Sequence, residues 1–305
     1  VGASEVANFA NHKFTGKGAR AFLNKVLAGR IPSPGRVNLT PMLLESGKLN
    51  GDLTVACIDE ETYYLFGSSV AQNMHLRWFE KHLEGVQDVV YKNMTDDFHG
   101  IAISGPNSQE LLSRLTREDV SSEAFKFRDI KDTFIGGVPA LCTRISFTGE
   151  LGYEIYVAPQ YQLKLFEAIE DAGADLDLKW FGGRALMSMR LEKSWGAWTM
   201  DFRPDFTIME SGLDFFVDWD KDFIGKKAAL TEKKNGPSKK LSVIQIHTDT
   251  DVSGDEAVMH NGECVSYITS GGYGHSVKKS LAMTYLPVEL IESNAKLEVE
   301  ILGEF

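Results

Sequence analysis

Glu154 is the residue whose setting is hardest to reconcile with an ordinary surface carboxylate. It stands in the stretch 144–157, R-I-S-F-T-G-E-L-G-Y-E-I-Y-V. Ile145 and Phe147 alternate with Ser146 and Thr148, and Tyr153, Ile155 and Val157 alternate with Glu154 and Tyr156. With T-G-E-L-G between them, the spacing predicts two short strands joined by a tight turn. A carboxylate among residues that favour burial must be paired or hydrogen-bonded, or it keeps its proton. Held in place, it accepts two parallel N–H donors, one per oxygen. A guanidinium offers such a pair, and so does the N3–H and 2-amino edge of a pterin. The alternative is a glutamate satisfied by a neighbouring arginine or a strand edge.

The composition bounds the rest. At 305 residues the chain has room for about two domains, with three small ones as the alternative. Apolar content of 43% with 25% charged residues suits a protein with a sizeable core. A net charge of −11 argues against nucleic acid or an anionic membrane as the main partner. No apolar run approaches the ~18 residues of a membrane span. The chain opens at Val1 without an initiator Met and shows no signal peptide, which predicts a processed or excised piece. Cys57, Cys142 and Cys264 lie on strand-like, partly apolar stretches and are expected as reduced core thiols, placing the chain in the cytoplasm or a mitochondrial matrix. A Walker loop, zinc spacing, G-x-S-x-G elbow and G-x-G-x-x-G fingerprint are absent, so flavin adenine dinucleotide would need a separate or missing domain.

The elements that must position Glu154 follow from periodicity and turn residues. An extended piece is expected over 6–14, helices over 19–28, 72–83 and 160–172, and one opened by Asn107 or Ser108. The 160–172 helix is expected to turn Leu163, Phe166, Ile169 and Ala172 inward. Residues 43–55 read as strand, turn at Ser46-Gly47, and strand. Seven lysines against two acids give 221–240 a local charge of +5, and with Asn235-Gly236-Pro237-Ser238 the segment reads as a linker. Short strands are expected over 241–247, 263–269 and 297–302.

Four ordered blocks of this sequence resemble one family. The stretch 144–157 is similar to the R-x-x-Y-T-G-E-x-G-[FY]-E-[IL] signature of the tetrahydrofolate-dependent aminomethyltransferases, the T-proteins of glycine cleavage. The same module forms the C-terminal half of dimethylglycine and sarcosine dehydrogenases. The run M-L-L-E-S-G-K-L-N-G-D-L from Met42 resembles the family's M-L-x-x-x-G-x-[IL]-x-x-D-L. The segment P-D-F-T-I-M-E-S-G-L-D-F-F-V-D-W-D-K-D-F-I-G-K leans toward the dimethylglycine and sarcosine dehydrogenase branch, with Ile208 where most members have proline. I-T-S-G-G-Y-G-H-S-V-K-K-S-L-A-M-T-Y-L-P resembles V-T-S-G-x-x-S-P-x-L-K-K-x-[IV]-A-M-G-Y-V-P over about twenty positions without a gap.

The resemblance implies an α+β, three-domain folate-binding fold. Two interleaved subdomains would occupy 1–237, and a C-terminal antiparallel β-barrel, truncated at its end, 238–305. It implies capture of a methylene or formaldehyde unit, from an aminomethyl donor or an N-demethylated amine, to give 5,10-methylenetetrahydrofolate. A flavin dehydrogenase domain would be the protein partner. A demethylase that moves an intact methyl group to folate, and a non-catalytic folate-binding module, are the alternatives. Glu154 would anchor the pterin; Phe147, Trp195 and Met42 would line it, with Trp198 the rival of Trp195. Aligning V-N-[AS]-x-x-x-x-x-D-L with F-G-S-S-V-A-Q-N-M-H-L puts the family aspartate, the residue tied to catalysis, at His75. A histidine near a helix N-terminus is expected to be neutral and able to act as a general base, without supplying a fixed negative charge. Arg190 is expected in a buried ion pair.

Overall fold

Gly152–Val157 forms the strand β10, and all six of its residues are buried. A strand with one solvated face would alternate; this one has a covered layer on each side. The computed structural model describes residues 1–6 and 9–305, so part of the extended piece expected over 6–14 lies outside the described residues. The chain divides into two compact units, 1–40 with 53–182, and 41–52 with 183–305. That division falls at 182/183, whereas the sequence boundary lay at 237/238.

In the first unit β10 lies inside a six-stranded sheet. The order is β11 (Lys179–Trp180), β1 (Gly2–Glu5), β7 (His99–Ser104), β10, β9 (Val138–Thr143) and β8 (Ile130–Ile135). Tyr153, Ile155 and Val157 join the core formed with Leu111 and Leu112 of α3 (Ser108–Leu115) and Leu165 and Ile169 of α4 (Gln162–Gly173). Tyr156 belongs to a second core, with Val37, Ala56 and Phe66 from another sheet. That sheet runs β3 (Arg36–Leu43), β4 (Leu49–Asp59), β5 (Thr62–Gly67), β2 (Ala10–Thr15) and β6 (Val90–Asn93). The outer side of β2 is covered by rings: Phe14 stacks on Phe22 of α1 (Ala19–Val26) and meets Phe79 of α2 (Gln72–Leu83) edge-on.

Four local expectations are corrected. Residues 145–147 are not a strand; β10 pairs with β9, and 144–151 connect them. Arg144 is the last residue held against the β8 side, its amide bonding the Asp129 carbonyl and its guanidinium the Phe125 carbonyl. In α4 the buried residues are Leu165, Ile169 and Gly173, while Leu163 is 68% exposed. Residues spaced by three drift about 60° per step around a helix, so an i, i+4, i+8 line buries better than the expected i, i+3, i+6, i+9. Asn107, one of the two expected caps, takes the N-cap position of α3 but makes no side-chain cap bond, and Ser108 bonds the Leu151 carbonyl. Cys264 is exposed, unlike Cys57 and Cys142; none of the three is in a disulfide.

The second unit holds α5 (Gly183–Glu192), α6 (Lys226–Asn235) and an antiparallel sheet. The order is β12 (Lys239–Ile246), β15 (Lys279–Pro287), β14 (Glu263–Gly274), β13 (Ala257–His260) and β16 (Glu298–Val299), with α7 (Val288–Glu292) after β15. Among the described residues β12 does not pair with β16, so the expected barrel is an open sheet. The expected lysine-rich linker is largely α6. Lys, Ala, Leu and Glu are strong helix formers, and the helix is bounded by Gly225 and Gly236 at φ of 86° and 81°. A Cβ on Gly225 would run into the Leu44 carbonyl, so the entry needs glycine twice over.

Candidate functional site

Strand alternation sets Glu154 and Tyr156 on the same face of β10, opposite Tyr153 and Ile155. Glu154 lies across from Ala102 on β7 and Thr143 on β9. Its side chain is 8% exposed, and its Oε2 accepts a 2.7 Å hydrogen bond from the Tyr156 hydroxyl. Burial pushes the carboxyl up to about 7, and the Tyr156 bond offsets part of that rise. The nearby Cys142 thiol is pushed up too, by burial first and by Glu154 second. The Tyr156 ring stacks on Phe66 at 4.5 Å and lies near-parallel to Phe98 at 6.1 Å, which in turn stacks on Tyr64. The result is an enclosed carboxyl whose ionisation burial opposes, so that a cation or an N–H pair arriving beside it stabilises the charged form.

Phe147 is half-buried in the segment linking β9 and β10, where Ser146 and Thr148 share a 3.1 Å hydrogen bond and Gly149 turns the chain at φ 82°. His75 is 1% exposed on α2, one turn before the fully buried Phe79. Its ring lies 6.2 Å from that of His12, and Gly67 passes so close that a Cβ there would touch it. His12 bonds the Tyr91 hydroxyl through Nδ1 at 2.9 Å, while its Nε2 has no partner among the described residues. Burial first, then the neighbouring His75, lowers His12 to about 3. His75 thus sits within a packed aromatic layer, on the i, i+4 line that α2 turns inward.

The second unit holds Met42, Trp195 and a carboxylate not singled out from the sequence. Met42 is fully buried. Trp195 is half-buried, edge-on to Phe202 and Phe216 at 6.0 and 5.9 Å, with the Lys193 ammonium over its ring. Trp198 is more enclosed, at 9%. Asp52, at the end of this unit's 41–52 segment, is pushed up to about 7 by burial. The signal was available: Asp52 is the aspartate of the D-L pair closing the M-L-L-E-S-G-K-L-N-G-D-L run. Lys221 is lowered to about 8 by burial, against the opposing pull of Asp218.

Arg190 makes the expected ion pair, and it holds the Trp195 loop. The guanidinium bonds Asp201 at 2.6 Å and the Trp195 carbonyl at 3.0 Å. Asp201, fully buried, also accepts from the Ala197 amide and from the Thr269 and Ser270 hydroxyls of β14. Glu192, two residues on, accepts from the Ser276 and Val277 amides in the β14–β15 turn. Among the described residues there is no cluster of three metal-ligating side chains, and no helix is long and apolar enough to cross a membrane.

Residues 1–221 match the family model of the GCVT N-terminal domain, and residues 239–305 that of the glycine cleavage T-protein C-terminal barrel domain. The chain belongs to the glycine cleavage T-protein family. Within it, an aminomethyltransferase of Geobacillus sp. (strain WCH70) is 30% identical over all of this chain and 84% of its own length. The human mitochondrial dimethylglycine dehydrogenase is 35% identical over all of this chain and 36% of its own length. The chain thus spans about a third of the length of that relative. The structure of glycine cleavage system aminomethyltransferase T from Bartonella henselae superposes with a TM-score of 0.89 over 99% of this chain and 82% of that one, at 23% identity. The T-protein fold is therefore shared along the whole chain.

Proposed function

We propose that this chain is a tetrahydrofolate-dependent one-carbon transfer module. It captures a methylene or formaldehyde unit from an aminomethyl donor or an N-demethylated amine, giving 5,10-methylenetetrahydrofolate as part of a dimethylglycine dehydrogenase-like enzyme. The observation that carries the reading is Glu154: an enclosed carboxyl with one oxygen held by Tyr156, in the family's T-G-E-x-G-[FY]-E setting. Such a carboxyl fits a ligand edge with N–H donors, and a pterin has one. When bound, tetrahydrofolate supplies the amine nitrogens that take up the one-carbon unit.

The chain's own groups do the rest. Glu154 ionises to accept the N–H pair, and Phe147 offers a flat, partly exposed face. In the second unit Trp195 is the candidate ring and Met42 packs beneath the surface. His75, enclosed by Phe79 and His12, supports packing. The support for a transferase is the family and the 30% identical aminomethyltransferase.

An assay of one-carbon products tests the reading. Incubation with tetrahydrofolate and formaldehyde should give the 5,10-methylene form above the uncatalysed rate, and Glu154→Gln should lower that rate at least ~10-fold while His75→Gln changes it less. Formation of 5-methyltetrahydrofolate from a methylated donor instead would favour the methyl-transferring demethylase. Folate binding with neither product would leave a binding module.

A further inference from the structure

The Tyr156–Glu154 contact joins two buried groups two residues apart on one strand, and the tyrosine has little freedom. Its ring is 1% exposed, stacked on Phe66 at 4.5 Å with an interplanar angle of 22°, and near-parallel to Phe98. The phenolic proton lies in the ring plane, so its only alternative orientation is about 180° away. Turning it there would abandon the 2.7 Å donation to Oε2 inside a buried site. Among the described residues the strand neighbours offer Glu154 no rival donor. Opposite it on β7 is Ala102, on β9 Thr143 bonds the Asp129 carbonyl, and the adjacent titratable group, Cys142, is a neutral thiol.

We propose that Tyr156 is a positioning residue for Glu154: by donating to Oε2 it presents Oε1 to the ligand and directs any proton on the carboxyl to that same oxygen. Recognition then depends on charge state. Ionised, Oε1 accepts one N–H of an amino-pyrimidine-type edge, and the second lone pair of Oε2 is left for the other. Neutral, it carries an O–H that points a donor at a donor, and such an edge is rejected. Tyr156 therefore ties N–H recognition to the ionised carboxylate, and by stabilising that form it widens the pH range of binding downward. The identity of the ligand rests on the folate reading above; the role of Tyr156 does not.

The carboxyl titration can be read without any ligand. In protein labelled with 13Cδ-glutamate, the resonance absent from Glu154→Gln reports Glu154. Its midpoint should lie near neutrality in the wild type and about one unit higher in Tyr156→Phe, which keeps the ring and its stack. Incorporating 3-fluorotyrosine, whose hydroxyl is a stronger donor, should lower the midpoint and gives a second test that does not depend on Tyr156→Phe folding. Tetrahydrofolate titrations from pH 6 to 9 should show Tyr156→Phe binding about fivefold more weakly at pH 7 and recovering by pH 9. A merely structural tyrosine would weaken binding evenly across pH. Equal midpoints in wild type, Tyr156→Phe and fluorotyrosine protein would overturn the proposal. A wild type that binds no tetrahydrofolate at any pH would sink the folate reading alone, with the carboxyl titration still deciding the role of Tyr156.

Discussion

A carboxyl raised by burial leaves a signature in stability as well as in binding. Glu154 is neutral in the empty protein to about pH 7, whereas in the unfolded chain it ionises near 4.5. A raised carboxyl contributes stability that is fully present below the unfolded value and is lost as pH rises through the folded one. Glu154→Gln, which has no charge to bury, should therefore match the wild type near pH 4 and exceed it by about 1–3 kcal/mol at pH 8, measured by urea unfolding without ligand. A variant equally stable at both pH values would contradict this. His12 works in the opposite direction. Held neutral down to about 3, it contributes stability above its unfolded value near 6.5 that is lost as pH falls. Replacing it by Gln should shrink the loss of stability between pH 8 and pH 5 by about 2 kcal/mol. At this scale the sequence showed that Glu154 was out of place among Tyr153, Ile155 and Tyr156. It did not show that Tyr156 completes the carboxyl, since alternation places the two on one face but says nothing of a hydroxyl reaching back along the strand.

Elements decide which candidates are reachable. The i, i+4 pairing of His75 with Phe79 turns the histidine into the packed layer over β2. From sequence, the position near the start of α2 suggested an open helix end. The helix itself was legible to its last residue, but the direction of one side chain was not, because it depends on the β2 and β6 rings contributed from far along the chain. In the second unit Asp201 gathers α5, the Trp195 loop and β14 onto one carboxylate with four donors. Asp201→Ala would leave the buried Arg190 guanidinium without its counter-charge, and should cost about 3–5 kcal/mol in thermal or urea unfolding. The double variant Arg190→Met with Asp201→Leu should recover much of that, since paired removal leaves no orphaned charge. The R-L-E block made Arg190 visible beforehand. Asp201, eleven residues later in an irregular loop, has no periodic pattern to announce it.

For the whole molecule, order along the chain and compactness in space are different things. Four blocks of resemblance in sequence order were enough to read the family, and the superposition along 99% of the chain agrees with them. They did not reveal that 41–52 leave the first unit and join 183–305, because β3 and β4 each carry the chain across a unit boundary in mid-strand. Asp52 is the last residue of that excursion, which is why a reading by consecutive elements passed over it. The proposed function stands or falls with Glu154, the enclosed carboxylate assigned to the N–H donors of a folate. Titration calorimetry with tetrahydrofolate at pH 8, on the wild type and on Glu154→Gln, tests this most directly. Saturable one-to-one binding, weakened by about 10- to 100-fold in the variant as a charge-assisted hydrogen-bond pair is lost, is the predicted result. No saturable binding, or equal affinity in the two proteins, would contradict it.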